Sequence, residues 1–289
     1  MRILVLGCTG QVGWESMRSL SPLGEVIGLD FPDVDFTRPD VLARQVEEIR
    51  PQVIYNAVAY TAVDKAENEP ALVRMINATA AGALAETAAR LGAVMIHYST
   101  DYVFDGKKGC AYVETDATNP LNVYGQTKLE GEQAVQAVDG AYLVLRTAWV
   151  YSNRRDSFIS KVLQWSQGKP SLRVVVDQVS NPTWSRMLAE TAAQLLARGG
   201  DDFVGYVKER RGVYHLAGDG FASRADWAAE ILANRPAGEP PVEVLPALSS
   251  EFPSPAERPL YSAMDCSLFA RTFGLRLPAW QQALKMAMQ

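Results

Sequence analysis

The chain opens on Met1-Arg2-Ile3-Leu4-Val5-Leu6-Gly7-Cys8-Thr9-Gly10-Gln11-Val12-Gly13, an apolar run that passes directly into three glycines at GxxGxxG spacing. The apolar run predicts a buried strand, and the glycines predict a tight turn from that strand into a helix. Glycines let the backbone approach a pyrophosphate and let the helix pack closely, and the helix amides then point at the phosphates. The stretch therefore predicts a dinucleotide-binding turn, with candidate cofactor contacts at Gly7, Gly10, Gln11, Val12 and Gly13.

A second predicted strand, Val26-Ile27-Gly28-Leu29, ends in Asp30, which lies 17 residues after Gly13. A carboxylate at this position can accept hydrogen bonds from the adenosine ribose hydroxyls. Because it would repel a 2′-phosphate, Asp30 favours NADH over NADPH. An ordinary turn residue is the alternative interpretation.

Predicted strands and helices alternate through the first half of the chain. Residues 38–49 have helical spacing and lead into an apolar strand at 53–56, and an alanine-rich helix over 71–91 leads into a strand at 94–98. This alternation predicts an α/β fold of the Rossmann type, a doubly wound parallel sheet with a smaller C-terminal substrate-binding region. Ligands bind such sheets at the carboxyl ends of the strands, where the glycine turn and Asp30 fall.

Tyr124 and Lys128 lie four residues apart in Tyr124-Gly125-Gln126-Thr127-Lys128, a spacing that puts both on one face of a helix. A phenol with a pKa of about 10 is a poor proton donor at neutral pH, and a nearby ammonium lowers that pKa. Thr100, at the end of an apolar strand, could hold a carbonyl oxygen between its hydroxyl and Tyr124. The set suits ketone reduction or alcohol oxidation. By itself the pair also fits a half-buried aromatic beside a solvated charge.

Four features together resemble the extended short-chain dehydrogenase/reductases: the glycine turn, Asn56-Ala57-Val58-Ala59-Tyr60-Thr61, Ser99-Thr100-Asp101-Tyr102-Val103-Phe104-Asp105-Gly106 and the Tyr124/Lys128 pair. Within that superfamily the likeness is to the dTDP-4-dehydrorhamnose reductases, and it covers nearly the whole chain. The segment from Ala59 to Glu67 and the segment from Ser99 to Gly106 are the most specific to this branch.

The resemblance implies NADH or NADPH as cofactor and a 4-keto-6-deoxyhexose on deoxythymidine diphosphate as substrate. It implies that Tyr124 donates a proton to the developing alkoxide, that Thr100 hydrogen-bonds the same oxygen, and that Lys128 lowers the phenol pKa and holds the nicotinamide ribose. It further implies cofactor contacts at Asp35, Phe36, Ala59, Tyr60 and Thr61, and substrate contacts at Thr100, Asp101, Tyr102, Trp149 and Arg258.

Two of these implied contacts have an alternative interpretation. Trp149 could be an aromatic lid over the core, and Arg258, which could pair with the diphosphate, could be a surface arginine. Glu67 and Glu69 are interpreted as a solvated face. Residues 1–150 are expected to form the dinucleotide-binding core with the catalytic residues, and residues 151–289 to complete the sheet and form the sugar-nucleotide-binding region.

Two other functional classes remain compatible with the sequence. The same scaffold supports nucleotide-sugar epimerases and dehydratases, which keep NAD bound through the catalytic cycle. A catalytically silent regulatory subunit, such as the related partner of methionine adenosyltransferase, is the other class. The intact Thr100, Tyr124 and Lys128 set argues against a silent subunit, because a binding module has no need of it.

The composition fits a globular enzyme: 289 residues, 48% of them hydrophobic, with a net charge of −5. That charge gives no sign of nucleic-acid or anionic-membrane binding. Three cysteines without CxxC spacing indicate neither a disulfide framework nor a zinc site, and both histidines lie in strand-like apolar contexts that indicate core positions. The absence of a signal-peptide pattern or long apolar run predicts a cytoplasmic protein.

The resemblance also suggests a magnesium site, because some members of the family dimerise through a magnesium ion held by glutamates. Glu15 fits the position of the glutamate in the first helix, but residues 281–289 contain no glutamate. No metal site is therefore assigned, magnesium lacks support, and a monomer and a homodimer both remain open.

Overall fold

The computed structural model of the protein describes residues 1–236 and 238–289. Its strands are Arg2–Leu6 (β1), Glu25–Leu29 (β2), Val53–Asn56 (β3), Val94–Thr100 (β4), Ala141–Thr147 (β5), Val150–Tyr151 (β6), Ser171–Val175 (β7), Val179–Ser180 (β8), Thr183–Trp184 (β9), Gly212–His215 (β10), Ala222–Ser223 (β11) and Glu243–Ala247 (β12). Its α-helices are Gln11–Ser19 (α1), Pro39–Ile49 (α2), Val63–Ala66 (α3), Pro70–Arg74 (α4), Ala80–Leu91 (α5), Val123–Gln136 (α6), Phe158–Ser166 (α7), Ser185–Arg198 (α8), Phe203–Glu209 (α9), Arg224–Ala233 (α10), Ser267–Phe273 (α11) and Trp280–Ala287 (α12).

Six strands form one parallel sheet in the order β10-β5-β4-β3-β1-β2. The predicted doubly wound α/β fold is thereby confirmed. β2 lies on one side of β1, and β3, β4, β5 and β10 lie in turn on the other. The strand order therefore reverses between β1 and β3, and a crevice opens at their carboxyl ends. The glycine turn leaves β1 at that crevice, and the segment around Tyr60 leaves β3 there.

Hydrophobic cores cover both faces of the sheet. Along β1, Ile3 and Val5 belong to one buried cluster and Leu4 and Leu6 to the other, as the two-residue period of a strand requires. Burial on both faces is what parallel strands need, and it explains why β1 is a continuous apolar run instead of an alternating one. The sheet is therefore a rigid platform for the loops at its carboxyl edge.

The predicted helix over 71–91 is present, with a local change of geometry inside it. Residues Met75–Thr79 adopt a π-helical turn between α4 and α5. Such turns are rare and often lie at functional sites. This one carries Asn77, a buried amide in an otherwise apolar stretch.

The second half of the chain contributes both to the sheet and to a separate cluster. β10 pairs in parallel with β5, while β7 and β12 form a two-stranded parallel ribbon of their own. A third core gathers around the buried Trp227, between α7, α10 and α12. No helix within residues 1–236 and 238–289 is long and apolar enough to cross a membrane.

Candidate active site

The glycine turn has the geometry that the sequence predicts. Gly7 has a left-handed φ of +79°, and the Gly10 amide donates a hydrogen bond to the Gly7 carbonyl at 2.9 Å. A Cβ on Gly13 would lie 2.1 Å from the Gly7 oxygen, so only glycine fits where the helix meets the turn. Because α1 starts at Gln11 without a side-chain cap, its first amides remain available to a ligand. This cradle fits the diphosphate of a dinucleotide.

Asp30 follows β2 and braces the same turn. One of its carboxylate oxygens accepts hydrogen bonds from the Thr9 amide at 3.0 Å and the Thr9 hydroxyl at 2.6 Å, and the other accepts from the Phe31 amide at 2.9 Å. Each carboxylate oxygen has two acceptor sites, so the second oxygen can still accept a ribose hydroxyl. Its role in choosing NADH over NADPH stays a prediction.

Asp35 and Phe36, expected near the adenine, lie after β2 in different surroundings. Asp35 accepts from the Thr37 amide at 2.8 Å and the Thr37 hydroxyl at 2.6 Å, and these bonds lower the pKa of its carboxyl. The Phe36 side chain is buried in the core cluster with Leu4 and Leu6. Asp35 is half-buried, so of the two side chains it is the more accessible to a ligand.

The loop at Ala59, Tyr60 and Thr61 is held by Asn77 of the π-helical turn. The Tyr60 amide donates to the Asn77 oxygen at 2.8 Å, and the Asn77 amide nitrogen donates to the Thr127 hydroxyl at 3.2 Å. Asn77 thus ties the expected cofactor loop to helix α6. Sequence reasoning missed it, although an asparagine inside an alanine-rich helix was a usable signal.

Helix α6 carries Tyr124, and two side chains fix its first turn. Asn122 accepts from the Gly125 amide at 2.8 Å, and Glu67 accepts from the Val123 amide at 2.9 Å. Glu67 is therefore a helix cap, which corrects the interpretation of this glutamate as a solvated face. A Cβ on Gly125 would lie 2.2 Å from the Tyr102 carbonyl oxygen, so α6 begins in close contact with the turn after β4.

Glu69 likewise has a partner. The Tyr60 hydroxyl donates to its carboxylate at 2.5 Å, which raises the pKa of the Tyr60 phenol. The second glutamate that the sequence assigned to a solvated face therefore braces the expected cofactor loop.

The structure brings Thr100 and Tyr124 together at the carboxyl edge of β4. Burial raises the pKa of the Tyr124 phenol, the Thr100 hydroxyl lowers it, and the charge of Asp101 raises it. The Tyr102 ring meets the Tyr124 ring edge-on, with centroids 5.8 Å apart. Tyr124 is thus a protonated phenol in a confined setting, which suits a proton donor.

Lys128 lies one helical turn beyond Tyr124 and is fully buried. Its ammonium donates to the Tyr98 carbonyl at 2.5 Å and lies 3.4 Å from His97. Burial lowers the pKa of Lys128 to about 8, against a smaller raising effect of Glu132. The Thr100 hydroxyl lowers the Tyr124 pKa, and the Lys128 ammonium is directed at the strand. The expected effect of Lys128 on the phenol stays a prediction.

The Glu132–Arg146 ion pair and His97 are buried near Lys128. Glu132 and Arg146 form a bidentate ion pair with N–O distances of 2.8 and 2.7 Å. His97 contacts the Asn56 amide at 3.1 Å, and burial together with the Lys128 charge keeps its pKa well below the usual value. His97 is thus neutral, and both histidines are core residues as predicted.

Asp101 is buried and does not face solvent. It is 2% exposed, and its oxygens accept hydrogen bonds from hydroxyl groups of the protein itself. The predicted substrate contact at Asp101 would therefore need a route other than its carboxylate oxygens. Tyr102, beside it, presents its ring to Tyr124.

Trp149 follows β5 with a left-handed φ of +42°, an unusual conformation for a bulky residue that is often found at functional sites. It stacks on Trp227 with ring centroids 5.5 Å apart. The guanidinium of Arg224 lies 3.6 Å from the Trp149 ring centroid, a cation–π contact. Arg224, at the start of α10, thus joins Trp149 at the site, and sequence reasoning missed it because only the fold brings it there.

The two arginines near Tyr102 differ in how their charge is balanced. Arg258 donates to the Asp64 carboxylate at 2.7 Å and also to Ser254. Arg224 is half-buried and forms no ion pair with any carboxylate in the described part of the chain. Burial lowers the pKa of Arg224 to about 10, so it remains a cation at neutral pH. The charge of Asp101 raises the pKa of Arg224, so Arg224 is balanced from a distance and not by a direct ion pair.

Glu15, considered for magnesium, lies among arginines. Burial raises the pKa of its carboxyl, while Arg186 and Arg18 lower it. Within residues 1–236 and 238–289, no group of three or more histidine, cysteine, aspartate or glutamate side chains is arranged to hold a metal ion.

Comparison with known proteins identifies the family of the chain. Residues 1–289 match the family model described as the RmlD substrate binding domain. The chain is 40% identical over 300 residues to the dTDP-4-dehydrorhamnose reductase of Burkholderia thailandensis, covering 100% of this chain and 98% of that protein. It is 42% identical over 294 residues to the dTDP-4-dehydrorhamnose reductase of Escherichia coli (strain K12), covering 99% of this chain and 96% of that protein.

Solved structures agree with these sequence relatives. A dTDP-4-dehydrorhamnose reductase from Clostridium acetobutylicum superimposes with a TM-score of 0.91 at 35% identity, covering 100% of this chain and 98% of the other. A dTDP-4-dehydrorhamnose reductase from Bacillus anthracis, solved in complex with NADP, gives a TM-score of 0.89 at 30% identity, covering 99% of this chain and 98% of the other.

Proposed function

The chain belongs to the family described as the RmlD substrate binding domain, and on that premise we propose that it reduces the 4-keto group of dTDP-4-dehydro-L-rhamnose to give dTDP-L-rhamnose. The observation that carries the proposal is the meeting of Thr100 and Tyr124, with Lys128 behind them, at the sheet edge that also bears the glycine turn. This edge is where an α/β sheet of this type binds its ligands.

We assign NADH or NADPH to the cradle of Gly7, Gly10 and Gly13, where the nicotinamide would supply the hydride. Tyr124 donates a proton to the oxygen that develops negative charge, since it is the protonated phenol of the site. Thr100, beside Tyr124, donates a hydrogen bond to the same oxygen. Lys128 contributes a buried positive charge near the reacting groups and a donor for the nicotinamide ribose.

The substrate side is assigned to the residues around Trp149. Trp149 and Tyr102 are assigned to the sugar nucleotide. The Trp149 ring stacks on Trp227 and carries the Arg224 guanidinium, so it would bring that cation to the substrate. A diphosphate needs cationic donors, and the planar guanidinium is well suited to it. Arg224 is the better candidate, because the charge of Arg258 is already balanced by Asp64.

The cofactor preference and the setting of the enzyme are part of the proposal. Asp30 favours NADH over NADPH, and Asp35, Tyr60 and Thr61 remain assigned to the cofactor side. The three cysteines are unpaired, which fits a reducing cytoplasm. Residues 151–289 are assigned to the sugar-nucleotide region, and the protein is assigned no nucleic-acid partner and acts as a monomer or homodimer.

The experiment is to mix purified protein with enzymatically prepared dTDP-4-dehydro-L-rhamnose and follow the oxidation of NADH and of NADPH in parallel. Oxidation that yields dTDP-L-rhamnose, identified by mass and sugar stereochemistry, is expected. Release of oxidised cofactor at each turnover separates this reaction from that of epimerases and dehydratases. No oxidation with either cofactor, although one binds, would contradict the proposal and favour another keto sugar or a silent regulator.

A further inference from the structure

Asn56 and His97 lie side by side on neighbouring strands, next to Lys128. The two residues are paired in register between β3 and β4, so their side chains lie on the same face of the sheet. Lys128 of α6 meets that face, and its Nζ atom lies 3.4 Å from His97 Nε2. Asn56, His97 and Lys128 are each 1% exposed, so their polar atoms need hydrogen-bond partners within the protein.

One backbone amide fixes the direction of the hydrogen bonds in this cluster. The Val58 amide donates to Asn56 Oδ1 at 3.1 Å, so the Asn56 amide nitrogen is the atom that faces His97. That nitrogen only donates, and it lies 3.1 Å from His97 Nδ1, so Nδ1 is the acceptor. Burial keeps the pKa of His97 well below its usual value, so the ring is neutral and carries its one proton on Nε2.

The Nε2 proton of His97 therefore points at the Lys128 nitrogen. An ammonium has three N–H groups and no lone pair, so it would set donor against donor and leave the buried His97 N–H unpaired. A neutral amine has one lone pair that accepts this proton, while its own N–H groups can still donate to the Tyr98 carbonyl at 2.5 Å. The amine satisfies every donor in the series, and the ammonium does not.

We infer that Asn56 and His97 are positioning residues that act on Lys128: with the Val58 amide they form a hydrogen-bond chain that ends on the Lys128 lone pair and favours the neutral amine. The chain begins beside the glycine turn, since a Cβ on Gly7 would lie 2.9 Å from the Val58 side chain. Its consequence for turnover rests on the proposed function, in which the Lys128 charge acts on the reacting groups.

The other groups around Lys128 leave this role to His97. Burial lowers the pKa of Lys128 to about 8, and Glu132 raises it. Tyr124, one helical turn earlier, is uncharged, because burial raises the pKa of its phenol. The carboxylates of α6 and α3 have partners of their own: Glu132 pairs with Arg146, Glu130 with Arg74, and Glu67 accepts from the Val123 amide. His97 is the ionisable side chain of β4 within hydrogen-bond distance of Lys128.

The first test needs no substrate. The chain has two histidines, so nitrogen NMR of protein with isotope-labelled histidine gives two imidazoles, which a His215→Gln variant assigns. At about pH 9.5, above the Lys128 pKa of about 8, we expect the Nε2–H tautomer for His97. His215 is the internal control: its Nδ1 lies 3.2 Å from the Asp265 carbonyl, which only accepts, so His215 should be the Nδ1–H tautomer. His97 in the Nδ1–H form would overturn the inference.

The second test reverses the chain with Asn56→Asp. A carboxylate only accepts, so His97 Nδ1 takes the proton and Nε2 becomes an acceptor for the Lys128 ammonium. NMR titration of isotope-labelled Lys128 should then give a pKa higher by about one pH unit or more.

The negative charge of the new aspartate also raises the Lys128 pKa, and a second background measures that effect. With His97→Leu present, Asn56→Asp adds the charge without the reversed chain, so the rise should be less than about half as large. Equal rises in the two backgrounds would overturn the inference. If these variants do not fold, the tautomer of His97 in the wild type still decides it.

Turnover distinguishes the inference from the proposed function. In a protein that reduces the proposed sugar, the fall of kcat at alkaline pH should move to higher pH in Asn56→Asp, together with the Lys128 titration. A fall that stays in place while that titration moves would overturn the positioning role. The expected tautomer and titration in a protein that does not reduce the sugar would count against the proposed function alone.

Discussion

Replacing Glu132 with glutamine should destabilise the protein strongly, because Glu132 is the fully buried partner of Arg146. The side chains of Glu132 and Arg146 are 0% and 5% exposed, and they pair through two hydrogen bonds between α6 and β5. The Arg146 Nη1 atom has no hydrogen-bond partner in the described part of the chain, and Glu132 is the carboxylate there that pairs directly with Arg146.

Breaking a buried pair by removing one partner leaves a buried charge uncompensated and costs about 3–5 kcal/mol. That is a large part of the roughly 5–15 kcal/mol by which folded proteins are stable. At about 2–4 °C per kcal/mol, the melting temperature of Glu132→Gln should fall by roughly 10 °C. The pKa of Lys128 should fall further as well, since Glu132 raises it.

The assay is equilibrium unfolding in urea, followed by tryptophan fluorescence. Glu47→Gln is the matched control, because Glu47 pairs with Arg90 at 2.6 Å on the surface, with side chains 41% and 53% exposed. It should cost less than about 1 kcal/mol. A double variant, Glu132→Leu with Arg146→Met, should recover most of the loss, since apolar side chains need no charge partner.

Two results would refute this reasoning. One is a loss in Glu132→Gln no larger than that in Glu47→Gln. The other is a double variant as unstable as the single one.

Three further predictions concern the site itself. The free energy of unfolding of the wild type, relative to that of Lys128→Met, should rise by up to about 3 kcal/mol between pH 8 and 10.5, because over that window the unfolded state keeps the Lys128 proton and the folded state, with a pKa of about 8, loses it. A difference between the two proteins that stays constant with pH in urea titrations would contradict this. Arg224→Met should raise the KM for the sugar nucleotide by about tenfold and leave the KM for the cofactor unchanged, since a charge-assisted hydrogen bond is worth about 1.5–3 kcal/mol. Steady-state kinetics with each substrate varied in turn measure the two constants, and equal effects on both would argue against the assignment. Gly13→Ala should lower stability by about 1–3 kcal/mol and weaken NADH binding in calorimetry, because its Cβ would lie 2.1 Å from the Gly7 oxygen. In the control Gly92→Ala the new Cβ would meet nothing beyond the adjoining chain within 4 Å, so this variant tests the effect of a left-handed backbone alone.

The sequence by itself determined the local parts of this protein. The glycine turn, the apolar strand before it and the strand–helix alternation depend on the backbone and on side-chain periods of two and 3.6 residues. The positions of Thr100, Tyr124 and Lys128 followed from strand ends meeting at one edge of a parallel sheet and from four-residue helical spacing. These features need only neighbours in sequence and the general rule of the fold.

Tertiary structure decided which distant groups become partners. The serines that bind Asp101, the pairing of Arg258 with Asp64, and the placement of Arg224 on Trp149 join residues far apart in the chain. The Lys128 ammonium donates to the Tyr98 carbonyl, a partner that its spacing from Tyr124 does not specify. Such pairings depend on packing, because a buried charge or hydroxyl is bound by whichever partner the fold brings within reach, and no local pattern specifies that partner.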